Sequence, residues 1–72
     1  NIKLRKALFN EVKTELKQIE VSLQIIKGKI SIEELTDFND NFIRDNKIMI
    51  DVDILEENIR TLKRFLNIFR NS

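Results

Sequence analysis

Apolar residues recur along the first part of the chain at a helical spacing. Phe9, Val12, Leu16, Ile19, Leu23 and Ile26 follow one another at intervals of 3-4-3-4-3. Such a 3.5-residue repeat falls on one stripe of an α-helix. Ile2 extends the stripe backwards, with Arg5 as its one polar position. Glu11, Lys13, Glu15, Lys17 and Glu20 lie between the apolar positions and form a solvated face. The pattern predicts a first helix from about Ile2 to Lys27. Gly28 stands just past the last periodic residue, where a glycine can close a helix in the left-handed conformation. Lys27 and Lys29 suit the negative end of the helix dipole.

The next start signal is local. Ser31 is followed three residues later by Glu34, the capping-box pattern, and Ile30 and Leu35 occupy the two positions of a hydrophobic staple. These predict a second helix over about 32–44, capped by Ser31. Leu35, Phe38 and Phe42 form its seam, with Ile32 nearby, and Asn46 takes the left-handed turn at its end. In the third segment Ile48, Val52, Leu55, Ile59, Leu62, Leu66 and Phe69 are spaced 4-3-4-3-4-3. This predicts a third helix over about 48–70, starting between Lys47 and Asp51. No Pro and one Gly occur, which agrees with long helices.

At the usual rise the three helices measure roughly 39, 20 and 30–36 Å. With tight connections the second helix returns only partway down the first. The third then overshoots the Gly28 turn by on the order of 10–15 Å. Two stretches are left without an intrachain partner in this arrangement. The first helix offers Ile2, Leu4, Leu8, Phe9 and Val12; the third offers Leu62, Phe65, Leu66, Ile68 and Phe69. Burying a large apolar side chain is worth ~1.5–3 kcal/mol, so exposing this many burdens a domain of ordinary stability. The expected fold is all-α, a small three-helix bundle or helical hairpin with heptad-like seams, paired as a homodimer. Leu4, Leu8, Phe9, Val12, Leu62, Phe65, Ile68 and Phe69 are its expected interface. Leu16 and Leu23 alternate with Ile19 and Ile26, a choice that favours four strands over two in parallel coiled coils. The alternative is a third helix that crosses the first steeply and closes the monomer.

Composition narrows the chemistry. Seventy-two residues make a single domain, 1–72, which a longer protein could contain. A chain of this size is marginally stable without a disulfide, a metal or a partner. Cys and His are both absent, which excludes disulfides and the common zinc, copper and haem sites. No nucleophile–base pair can be built, and one Gly cannot make a phosphate loop. The expectation is a non-enzymatic protein with no cofactor and no small-molecule substrate. Lack of Cys fits a cytoplasmic setting, and no apolar run is long enough to span a membrane. Asp37, Asn39 and Asn41 match three positions of an EF-hand loop, but Phe42 stands where Gly is needed and Ile48 where the bidentate Glu belongs. Asp51 with Asp53, and Glu56 with Glu57, lack the His that helical di-metal sites use. A solvated, dipole-complementing face explains all of them.

Net charge is only +1, yet it is unevenly laid out. Residues 1–30 carry seven basic and three acidic side chains, 31–57 two basic and nine acidic, and 58–72 four basic and none acidic. Arg60, Lys63, Arg64 and Arg70 form a basic stripe with Asn67 and Asn71 on the third helix. Its plainer reading is dipole complementation; its functional reading is contact with phosphates and base edges. Lys3, Arg5 and Lys6 sit where the dipole disfavours them. That points to a helix beginning upstream, or to an acidic partner such as the second helix of another subunit, or to phosphate. Two functions follow as expectations. The first is a helical protein–protein interaction or oligomerisation module, a small regulator docking on a larger assembly being one form. The second is a helix-turn-helix-like nucleic-acid binder reading with the third helix. A membrane-surface helix fits less well, because the first helix alternates charge signs.

Overall fold

The computed structural model describes residues 2–31 and 33–71. Among them are three helices and no strand: α1 (Ile2–Ser31), α2 (Asp40–Asp45) and α3 (Ile48–Asn71). The protein is all-α. α1 and α3 run antiparallel along each other. Lys29 meets Asp51, Ser22 meets Asn58, and the Arg5 guanidinium lies 5.5 Å from the centroid of the Phe69 ring. The short α2 packs on α3. The result is a hairpin 54 Å long and 16 × 15 Å across.

The end of α1 differs from the expectation. The helix continues through Gly28 to Ser31, and Gly28 has no positive φ. The Ser31 hydroxyl donates back to the Gly28 carbonyl (3.3 Å), so it caps nothing downstream. Two contacts explain the extension. Lys29 Nζ donates to Asp51 Oδ2 (2.6 Å) and to the Asn46 carbonyl (2.8 Å). Both are made with Lys29 in the helix, one heptad beyond Ser22 and on the same face. Tertiary bonding thus overrides the local stop signal. A Cβ on Gly28 would meet nothing within 4 Å. Gly28→Ala should therefore stabilise the protein by about 1 kcal/mol, the Gly–Ala helix propensity difference. A thermal unfolding midpoint no higher than the parent's would contradict this.

The second helix is also shorter and later than 32–44. Residues 33–39 form turns, with Glu33 N donating to the Ile30 carbonyl and Asp37 N to the Glu34 carbonyl. Leu35 is 90% exposed, so no staple forms, and Ile32 lies outside the described residues. The cap is Asn39, whose side chain accepts from Phe42 N at 3.1 Å. That explains Asn39 without a calcium ion. At the other end Asn46 keeps φ −94° and its amide donates to the Phe42 carbonyl (3.0 Å). Lys47, not Asn46, takes the left-handed turn (φ 56°).

Because the connection spans 32–47, α3 starts level with the end of α1 and reaches back to Arg5. There is no overshoot, and among the described residues neither long helix has an end without an intrachain neighbour. The length mismatch expected above came from placing the second helix too early.

Candidate functional site

The inner rows of the hairpin decide what remains outside. On α1 the buried or half-buried residues are Leu8, Val12, Glu15, Ile19, Ser22, Ile26 and Lys29, a 4-3-4-3-4-3 run. On α3 they include Ile48, Asp51, Val52, Leu55, Asn58, Leu62, Phe65 and Phe69. Only Val12 and Ile48 form a buried apolar core among the described residues. Polar rungs alternate with the apolar ones. Asn58 Nδ2 donates to Ser22 Oγ at 2.9 Å, and Lys29 pairs with Asp51. Buried polar groups are tolerated when they are satisfied, and none is left without a partner among the described residues.

The seam read from the sequence is therefore rotated. Val12, Ile19 and Ile26 face inward, but Phe9, Leu16 and Leu23 do not. With Ile2 and Ile30 they form a row of five large apolar residues at every seventh position, and all five are exposed. α3 carries a matching row one step from its inner positions: Val52 is half-buried, and Ile59 and Leu66 are exposed. In each helix the apolar stripe is thus broader than the hairpin contact and displaced from it.

Both displacements are toward the same side. Ser22, Ile25, Asp51 and Ile54 line one groove between the helices. Ile25 and Ile54 lie on the opposite flank of the inner rows from Leu23 and Val52, by the 100° advance per residue. The Phe9–Leu16–Leu23 row and the Val52–Ile59–Leu66 row therefore share the other side. They form one apolar face along the hairpin, without a charged residue in either row. The Ile25 side is mixed, bearing Glu11, Gln18 and Thr61 beside Leu4, Ile25, Ile54 and Ile68.

Surface area gives the scale. The chain exposes 5985 Å². A compact monomer of its 8.6 kDa would expose ~4,700 Å². The excess, roughly 1,300 Å² per chain, is within the range that a hydrophobic homodimer covers on each partner.

Of the eight residues expected at an interface, the hairpin itself uses Leu8, Val12, Leu62, Phe65 and Phe69. Leu4, Phe9 and Ile68 remain exposed, with Phe9 alone on the uniform face. Ile2, Leu16, Leu23, Ile30, Ile59 and Leu66 are also exposed. A strict seven-residue recurrence, which a 3-4 seam contains but does not separate, sets their rows apart.

The charged residues sort by position along the rod. Lys3, Arg5 and Lys6 from α1 share one end with Lys63, Arg64 and Arg70 from α3. Residues 2–13 and 60–71 together carry eight basic side chains and one acidic; the other half, residues 14–31 and 33–57, carries eleven acidic and five basic, nine of the acidic ones within 33–57. Arg60 bonds Glu56 (3.1 Å) and Glu57 (3.0 Å), while Arg64 donates to the Thr61 hydroxyl. At the basic end Ile2, Arg5, Lys6, Phe9 and Phe69 line an open groove of about 310 Å³, continuous with the apolar face through Ile2 and Phe9. No group of three or more acidic side chains among the described residues could hold a metal ion. No described helix is long and apolar enough to cross a membrane. No protein-family model, curated protein or solved structure matches the chain.

Proposed function

We propose that the chain is a non-enzymatic helical interaction module that pairs with a second copy through the apolar face of its hairpin. The row Ile2, Phe9, Leu16, Leu23 and Ile30 carries this reading, with Val52, Ile59 and Leu66 beside it. Two such hairpins set face to face make a four-helix bundle, in which each long helix gains a second neighbour. A stripe too broad for one neighbour suits that arrangement. A small regulator docking on a larger assembly would use the same face with another occupant.

Solution mass tests the pairing. Sedimentation equilibrium over a range of concentrations should give twice the chain mass, at low salt and at high salt alike. Burial of apolar area survives screening, whereas association through surface charge alone weakens with salt. A folded monomer at every concentration would remove the reading.

One observation favours the nucleic-acid alternative: basic side chains from both long helices gather at one end of the rod. Against it, Arg60 is engaged by Glu56 and Glu57, and the opposite end is acidic. DNA affinity falling steeply with salt would bring this alternative forward.

A further inference from the structure

The apolar face sets what is buried, but a row repeated every seven residues fits in either direction. The charge layout chooses. A second copy laid with its ends in the same direction would put the basic pole beside a basic pole and the acidic pole beside an acidic one. Like-charge juxtaposition across an interface is disfavoured, and complementary potentials fix orientation. Reversing the second copy sets each basic pole against an acidic one. A two-fold axis across the rod makes both contacts equivalent, as an isologous dimer requires.

We infer that the groove of Ile2, Arg5, Lys6, Phe9 and Phe69 is a docking site for the acidic 33–38 turn of a second copy, in a dimer with the two rods reversed. This rests on the face-to-face pairing proposed above. The groove has an apolar floor and two cations at its rim. The turn presents Leu35, 90% exposed, with Glu33, Glu34 and Asp37 near it in sequence. The two are complementary in kind: an exposed leucine with carboxylates next to it in sequence, and an apolar groove with two cations in its lining. Their positions agree as well. The groove closes the apolar face beyond Phe9, and the turn lies just past Ile30 at the other end of the same row. When two copies overlap in reverse along their full 54 Å, Ile30, about 42 Å along α1 from Ile2, lies over Phe9 of the other copy. The turn is then brought to the groove, twice per dimer.

The chain contains no Cys, so single cysteines can carry dyes. Thr36→Cys and Asn71→Cys mark the acidic and basic poles without changing a charge. Energy transfer is measured in mixtures of donor- and acceptor-labelled chains whose doubled mass has first been confirmed. High transfer from position 71 to position 36, with low transfer from 71 to 71, is expected, because the rod is 54 Å long. The opposite pattern in a dimer would overturn the reversed arrangement while leaving the pairing standing. A chain monomeric by mass would overturn both.

Seating of the turn is tested by charge exchange. Lys6→Glu and Glu34→Lys should each weaken self-association several-fold at low salt, since both contacts of the dimer become like-charged. Mixing the two variants should restore parent affinity, because the mixed pair has one reversed contact and one native. Single variants as tight as the parent would overturn the docking of the turn in the groove.

Discussion

In the proposed pairing, replacing Leu16 and Leu23 together by Glu should give a monomer that keeps its helical hairpin. Both side chains are exposed in the single chain, at 46% and 42%, so the intrachain seam loses little. Between two chains the loss is large. A dimer contains four such positions, and a fully buried leucine is worth ~1.5–3 kcal/mol relative to exposure. Allowing for the half already covered, four leucines contribute on the order of 3–6 kcal/mol. At ~1.4 kcal/mol per decade, that weakens association by roughly a hundred- to ten-thousandfold. Desolvating four carboxylates adds to the penalty. Gln24→Glu, on the outer surface of the same helix, should leave the mass unchanged. The pair of experiments needs sedimentation for mass and circular dichroism for helicity. A double variant that stayed dimeric would mean that another surface does the pairing.

Ile48→Ala should produce the largest loss of hairpin stability of any single apolar truncation. Ile48 is 5% exposed and is one of two buried apolar residues among those described. Truncating a buried Ile to Ala costs ~2–5 kcal/mol, against a total stability near ~5 kcal/mol for a domain this small. Urea midpoints compared at one protein concentration would read it, since the proposed pairing would couple stability to concentration. Ile54→Ala serves as the contrast: that side chain is 52% exposed and should move the midpoint little. Equal effects at the two sites would mean that the core is not centred on the start of α3.

Much of this architecture is written in the repeat. The apolar intervals locate both long helices, and the segment from Ile48 onward is helical to Asn71. What the repeat hides is rotation. A run such as Phe9, Val12, Leu16, Ile19 can face its neighbour through either of two adjacent rows. The choice was made by Ser22 with Asn58 and by Lys29 with Asp51, contacts 36 and 22 residues apart in sequence. No local pattern advertises them. The same distance effect misled the reading of Gly28, Ser31 and Glu34. These form a valid stop-and-start signal, yet the bonds of Lys29 outweigh it, and Asn39 is available as a cap eight residues later. Of the residues expected at an interface, the hairpin itself covers Leu8, Val12, Leu62, Phe65 and Phe69, because the rotation of the helices, hidden in the repeat, turns these inward.

The two polar rungs have a consequence for alignment. Sliding α3 by one heptad along α1 in one direction sets Asp51 beside Ser22 and strands the Lys29 ammonium. Sliding it the other way sets Asn58 beside Lys29 and strands the Asp51 carboxylate. The hairpin therefore has teeth that mesh in a single position. The outer row has none: Phe9, Leu16 and Leu23 offer nearly the same foothold at each step, and a facing chain could glide along it. For that face, in the proposed pairing, the charged ends of the rod are the stops.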